Sequence, residues 1–483
     1  MKQSGLLSNF VWKFAERISA QLVSLIVSIV LARLLGPDDY GIVTIVMIFI
    51  TFANVFVSDG FGKALIQKKE PTVLDYCSVL YFNLFFSAIL YFVLFFTAPL
   101  IAKFYGTGYE ILVPVLRVLA LRLPLTAANS VQQAYVSKKM IFRKFFLSTL
   151  LGTILSGIAG IGMAYSGFGV WSLVVQYLLG TIVSTLTLAF VLRKKPQLIF
   201  SLDALKNLVP FGARVLGIGL LITGYQEIRA LIVGKVYSSA DLAYYDKGRQ
   251  FPNLLVTNIN TSIGAVLFPK MANEQDDIIK IRETMRNSIR FSSYVLSPAM
   301  LGLAAVSEPF VRLVLTDKWM SCVPLLQMFC IIYLFYPIHT TNMQAVNSIG
   351  RADVTMRLEI IKKIIELLLL LCAMQISVKA IVISEVITAT LFVFINAYPN
   401  TKFVKYSIKE QLSDILPNVS MALVMAVTVY MVNYFPIGDF LKLVLQIALG
   451  ALLYLTLSII TRNKEFKYIK SIMFNRFINR RNL

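Results

Sequence analysis

The stretch Gln21-Leu-Val-Ser-Leu-Ile-Val-Ser-Ile-Val-Leu-Ala-Arg-Leu-Leu-Gly-Pro-Asp-Asp-Tyr-Gly-Ile-Val-Thr-Ile-Val-Met-Ile-Phe-Ile50 sets two apolar runs on either side of a turn signal. Its first run belongs to a segment from Val11 to Leu35, longer than a signal-peptide core and without a small-x-small cleavage pattern, so it reads as a retained helix. Gly36-Pro37-Asp38-Asp39 stops that helix, and a second begins near Gly41. Apolar runs of about 20 residues need a bilayer as their solvent.

The same alternation continues outward. Spans are predicted at 11–35, 41–58, 77–101, 111–136, 145–166, 169–192, 208–234, 251–268, 290–315, 322–347, 358–377, 379–399, 415–434 and 440–461, fourteen in all. They are apolar on every side, which excludes a barrel of alternating ten-residue strands. Composition agrees: of 483 residues 57% are apolar and 15% charged, with a mean hydropathy of +0.74, against about 25% charged in soluble domains. The fold class is an all-α polytopic membrane protein.

A net charge of +21 would suggest nucleic acid in a soluble chain, but these cations lie between apolar spans rather than on one face. Counted by alternate connections, 33 Lys and Arg fall on the side of the N-terminus and 8 on the other. The positive-inside rule then places both termini in the cytoplasm. Cys77, Cys322, Cys330 and Cys372 show no paired spacing, so neither a disulfide framework nor a metal site is expected.

The chain also repeats. Phe14-Ala-Glu-Arg17 opens the first span and Phe211-Gly-Ala-Arg214 the seventh; Gln133-Ala134 follows the fourth span and Gln344-Ala345 the tenth. Two parallel six-helix lobes follow, 1–200 and 201–400, with two further helices and a basic tail in 401–483. Facing lobes of this kind enclose a cavity opened alternately to each side, which makes the expected class a transporter. Every outer connection is short, so the long catalytic loop of a membrane glycosyltransferase or polymerase is missing, and no enzyme activity is expected.

Ionisable residues at membrane depth are costly unless they face a wet cavity or a partner. Arg17, Arg122, Arg214, Arg229 and His339 are the expected cavity residues, and arginine's planar fork suits a phosphate. Each has a plainer alternative: snorkelling for Arg17 and Arg214, structural pairing for Arg122 and Arg229, and hydrogen-bonded packing for His339. Arg117 and Arg312 read as outer-rim residues, Arg312 pairing with Glu308. Glu16, Asp59, Glu227, Glu359, Glu366 and Glu385 are candidates for coupling to a proton or sodium gradient, with Glu16, Asp59 and Glu227 put first, and no other cofactor is expected. Glu359 with Lys363 and Lys362 with Glu366 read as helical ion pairs. Gly152, Ser156, Gly160 and Ala164 form a helix-packing stripe.

Five motifs in order, Leu31-Ala-Arg-Leu-Leu-Gly-Pro-Asp-Asp-Tyr-Gly41, Ala243-Tyr-Tyr245 leading to Phe251-Pro252, Ile263-Gly-Ala-Val-Leu-Phe-Pro269, Glu308-Pro-Phe-Val-Arg312 with Lys318-Trp319, and Gly350-Arg-Ala-Asp353, resemble the Wzx-type polysaccharide-export flippases. Within these the likeness is to the teichuronic- and colanic-acid exporter branch of the multidrug/oligosaccharidyl-lipid/polysaccharide superfamily. The resemblance covers about residues 5–400. It implies a two-lobed fold like that of the MATE drug/cation antiporters, in the bacterial inner membrane. It also implies an undecaprenyl-diphosphate-linked oligosaccharide as substrate, flipped to the outer leaflet, with membrane lipids and the polymerase or export machinery as partners, nucleic acid excluded, and a monomeric transporter. The alternatives are a cation/drug antiporter on the same architecture, a polymerase, and an uncoupled scramblase.

Overall fold

The computed structural model describes residues 19, 21–58, 60–193, 196–274 and 277–467, of which 261–266, 268 and 269 are described by backbone alone. The described residues are helical, without a β-strand. Among the described residues ten helical stretches are long and apolar enough to cross a membrane, and a bent pair makes an eleventh if it is one span. The chain is an integral membrane protein.

Two compact units divide it, Met1–Ala243 and Tyr244–Leu483. The first holds α1 (Gln21–Leu34), α2 (Pro37–Ser58), α3 (Phe61–Gln67), α4 (Val73–Tyr105), α5 (Leu112–Leu119), α6 (Arg122–Lys139), α7 (Phe142–Tyr165), α8 (Val170–Leu192), α9 (Leu202–Lys206) and α10 (Val209–Val236). Thr72 and Asp75 cap α4 reciprocally, and Asp75 also takes an ion pair from Lys68 at 2.7 Å. The stripe on α7 packs as read from the sequence: a Cβ on Gly152 would lie 3.0 Å from the Gly180 carbonyl oxygen of α8, and one on Gly160 would lie 2.9 Å from Gln176 Cβ. Small residues here let two backbones approach.

The compact units are a division by packing, separate from the lobe boundary expected at 200/201. Helix α10 packs on α2 and α3. The compact unit therefore runs on to Ala243, inside α11 (Ser239–Asn273). At the start of α11, Ser239 Oγ donates to Asp38 at 2.7 Å and its backbone N–H donates to the Tyr109 hydroxyl at 3.1 Å.

From Tyr244 the second unit comprises most of α11, then α12 (Ile278–Ala305), α13 (Ser307–Val314), a 3-10 turn, α14 (Val323–Leu334), α15 (Tyr336–Ser348), α16 (Ala352–Ala373), α17 (Val378–Phe403), α18 (Ile408–Met431) and α19 (Asp439–Ile460). The predicted span 290–315 is bent by 69° between α12 and α13. Three helices covering predicted spans do not meet the length-and-apolarity test: α1 in its described part, α11 with Asn253, Thr257, Asn258 and Asn260 through its middle, and α16 with five charges from Arg357 to Glu366.

Helix α18 is fastened to α12 by charge. Asp414, its side chain 1% exposed, accepts from Arg286 Nη2 at 3.0 Å, from Arg290 Nε at 2.9 Å and from the Tyr406 hydroxyl at 2.7 Å; one turn away Arg282 meets Glu410 at 2.5 Å. Burial, together with the Asp414 carboxylate, keeps the Tyr406 phenol above its ordinary range, so it stays a donor. Farther along, Asn433 donates to the Ala305 carbonyl at 3.3 Å, and Tyr454 of α19 donates to the Tyr294 carbonyl at 2.9 Å.

Candidate functional site

Arg122 is the first residue of α6, near the middle of the candidate span Leu112–Lys139. Its Nε donates to Thr181 Oγ1 of α8 at 3.0 Å, its Nη1 to Met47 Sδ of α2 at 3.2 Å, and its guanidinium stands 5.4 Å from the centroid of the Tyr177 ring. All three partners are uncharged. A guanidinium carries five N–H donors, and two of them are engaged by described residues. Among those residues no carboxylate pairs with it. This half-buried cation can therefore accept a planar anion from the side it leaves open.

Arg214 is exposed on the second turn of α10. Arg229 and Glu227 are half-buried on the same helix, with Arg229 over the Tyr225 ring at 5.9 Å. Arg122 and Arg229 thus use different ring partners. Arg17, Glu16 and Asp59 lie outside the described residues. In the second unit His339 Nδ1 accepts from Asn396 Nδ2 at 3.1 Å, bridging α15 and α17.

The expected pair between Arg312 and Glu308 is present. Arg312 meets Glu308 at 3.3 Å, and also Asp317 at 3.0 Å and Asp439 at 3.6 Å. Arg117 instead donates to the Phe95 carbonyl at 3.2 Å and lies over that ring. On α16 the register differs from the predicted one. Lys362 pairs with Glu359 at 2.5 Å and Lys363 with Glu366 at 3.0 Å, three residues apart rather than four. The physical reason is that Lys362 is nearly buried over the Phe392 ring of α17, which turns its ammonium toward Glu359.

Sequence reasoning named Glu385 among the candidate coupling acids and Tyr245 within a motif, but it missed Arg249 and the contact between the three. Arg249 was placed in an outer connection because the eighth span was started at 251, whereas α11 begins at Ser239. Tyr245, 1% exposed, donates to Glu385 Oε1 of α17 at 2.7 Å, and Arg249 sits 5.9 Å from the Tyr245 ring centroid and 3.9 Å from Asp246. The signal was present in Ser238-x-x-Asp241, a capping-box pattern. Ser238 Oγ donates to Asp241 at 2.7 Å and accepts its backbone N–H at 3.0 Å.

Comparison with known proteins places this geometry in context. The teichuronic acid biosynthesis protein TuaB of Bacillus subtilis (strain 168) is 27% identical over 305 residues, 62% of this chain and 62% of that protein. The lipopolysaccharide biosynthesis protein WzxC of Escherichia coli (strain K12) is 22% identical over 358 residues, 74% of this chain and 72% of that one. The chain thus spans less than two thirds of the Bacillus relative's length. Among solved structures, the lipid II flippase MurJ in an inward closed conformation superposes with a TM-score of 0.75 at 17% identity, over 94% of this chain and 99% of its own. An inward-facing multidrug resistance MATE family transporter of the MOP superfamily gives 0.62 at 16%, over 80% and 96%. These two likenesses establish a MATE-like fold. The family described as polysaccharide biosynthesis protein matches residues 30–324, well over half of the sequence, and the chain belongs to that family.

Proposed function

We propose that the protein is a flippase that carries an undecaprenyl-diphosphate-linked oligosaccharide from the cytoplasmic to the outer leaflet by alternating access. The observation that carries this reading is Arg122: a mid-span guanidinium held by Thr181, Met47 and Tyr177, with three N–H donors uncommitted among the described residues. A diphosphate cannot cross hydrocarbon unaided, because desolvating such an anion costs many kcal/mol. A fixed guanidinium in a hydrated path lowers that barrier, while the polyprenyl tail stays in the bilayer. Arg17, Arg214 and Arg229 are the further basic contacts in this reading, and His339 positions α15 against α17. Glu16, Asp59 and Glu227 are the proposed coupling acids for a proton or sodium gradient.

The same reading gives fourteen spans in two six-helix lobes plus two helices, with both termini cytoplasmic in the bacterial inner membrane. The protein acts as a monomer that hands its product to a polymerase or export system, and it transports rather than catalyses. The names of the relatives, concerned with teichuronic acid, lipopolysaccharide and lipid II, support a lipid-linked glycan as cargo. The test is Arg122→Ala and Arg122→Lys in a strain lacking its own copy. Arg122→Ala is expected to abolish surface glycan with normal membrane insertion, and Arg122→Lys to restore it only in part, since lysine lacks the planar fork. Normal surface glycan in Arg122→Ala overturns the mechanism.

A further inference from the structure

The α6 face that carries Arg122 continues as a line of amides and hydroxyls. Asn129 and Gln133 follow at seven and eleven residues, on the same face of the helix. Opposite them α8 presents Tyr177, Thr181 and Thr185 at four-residue spacing. The two lines are joined rung by rung. Arg122 donates to Thr181 at 3.0 Å, Asn129 Nδ2 donates to Thr185 Oγ1 at 3.0 Å, and Gln133 Nε2 donates to Asn129 Oδ1 at 2.5 Å.

Burial changes along this line. Asn129 and Thr185 are buried, whereas Gln133 is exposed and Tyr177 is 37% exposed. Gln133 thus ends a relay whose inner members are satisfied, and its amide oxygen has no described protein partner. An exposed carboxamide inside a candidate membrane span is unfavourable against lipid, so this face turns to water or to a polar ligand. Every group on it apart from Arg122 is neutral.

We propose that this α6–α8 face is a sugar-binding subsite, in which Gln133 and its relay to Asn129 and Thr185 read the hydroxyl or N-acetyl groups of the glycan. The inference rests on the flippase reading and deepens it. Planar amides present a donor and an acceptor together, as vicinal sugar hydroxyls require, and a neutral lane binds sugar without adding attraction for phosphate. Arg122 and Gln133 lie eleven residues apart, about 16 Å along the helix, so one face holds the anion at one position and sugar at another. An anionic phospholipid headgroup would use Arg122 alone.

The test uses the full-length protein in nanodiscs with two probes, undecaprenyl diphosphate and an undecaprenyl-diphosphate-linked tetrasaccharide containing N-acetylglucosamine, long enough to reach from Arg122 to Gln133. Wild type is expected to bind the glycosylated probe more tightly. Gln133→Ala and the shape-preserving Gln133→Leu are expected to weaken that probe by about three- to ten-fold, the loss of one or two hydrogen bonds, without moving the bare carrier. Arg122→Ala is expected to weaken both probes by about ten-fold or more. Equal affinity of wild type for the two probes, or a Gln133 variant that moves both alike or neither while its unfolding temperature is unchanged, overturns the subsite. If Arg122→Ala leaves both probes untouched, the flippase mechanism fails instead, and the Gln133 comparison still reads separately.

Discussion

Gly41→Ala is a test of how the turn motif was placed. A Cβ built on Gly41 would lie 1.9 Å from the Ser239 carbonyl oxygen, 2.3 Å from its carbonyl carbon and 2.8 Å from its Cα. Ordinary carbon–oxygen contacts are about 3.3 Å or longer, so the start of α11 must retreat by about 1.4 Å. Retreat is resisted on two sides, by the 2.7 Å bond from Ser239 to Asp38 and the 3.1 Å bond to Tyr109. Overpacking costs about 1–3 kcal/mol, and losing a hydrogen bond to a carboxylate about 1.5–3 more. Alanine returns about 1 kcal/mol of helix propensity to α2. The net is about 3 kcal/mol, or roughly 6–12 °C in the melting of a unit of this size. The assay is thermal unfolding of the purified protein, with Ser239→Ala as partner in a double-mutant cycle. Ser239→Ala alone is expected to cost about 1.5 kcal/mol, and nothing further on the Gly41→Ala background, because the bond is already broken there. A Gly41→Ala protein that melts with wild type, or two effects that simply add, refutes the account.

Asp414→Ala is expected to lower stability by about 3 kcal/mol, the low end for breaking a buried charge cluster, because Arg286 and Arg290 are partly exposed and recover some hydration; Asp414→Asn is expected to fall between, and thermal unfolding separates the three proteins. His339→Leu leaves Asn396 without its ring acceptor and is expected to cost about 1–3 kcal/mol in the same measurement while transport by the folded fraction persists. Gly152→Val puts branched carbon against the Gly180 carbonyl and Ser184, so it is expected to lower the unfolding temperature, with parting of α7 from α8 visible as faster hydrogen exchange in both.

What could be read from one sequence was what depends on near neighbours in the chain. The helices announce themselves by continuous apolar length, and the α7 stripe by its four-residue period; Glu308 stands one turn from Arg312, so their pair was legible, but Asp439 arrives from 127 residues away and was not. The Asp414 hub failed for the same reason. Arg286 and Arg290 looked like loop cations counted toward orientation, and nothing local says that a single aspartate on α18 gathers them. The bend at Val306 was hidden because Leu301 to Leu315 is apolar enough to pass for one span. In the candidate site Arg122 was found by its depth. Gln133 was noticed only as half of a repeated Gln-Ala pair, since exposure inside an apolar span is a three-dimensional property.

Arg122 and the arginines of α12 and α13 are held by different kinds of partner, and that difference bears on chemistry. In the second unit Arg282, Arg286, Arg290 and Arg312 each meet a carboxylate, Asp414 serving two of them. Such pairs satisfy charge and hold helices in register, and they leave little attraction for a mobile anion. Arg122 in the first unit meets a hydroxyl, a thioether and a ring instead. Those partners orient the guanidinium without neutralising it, so its field remains directed at whatever occupies the open side. Had evolution needed only a brace between α6 and α8, a neutral pair such as Asn129 with Thr185 would suffice, and that pair is already present two turns away. An oriented but unneutralised cation beside a neutral amide lane is what a headgroup with a charged end and an uncharged, hydroxyl-rich end requires.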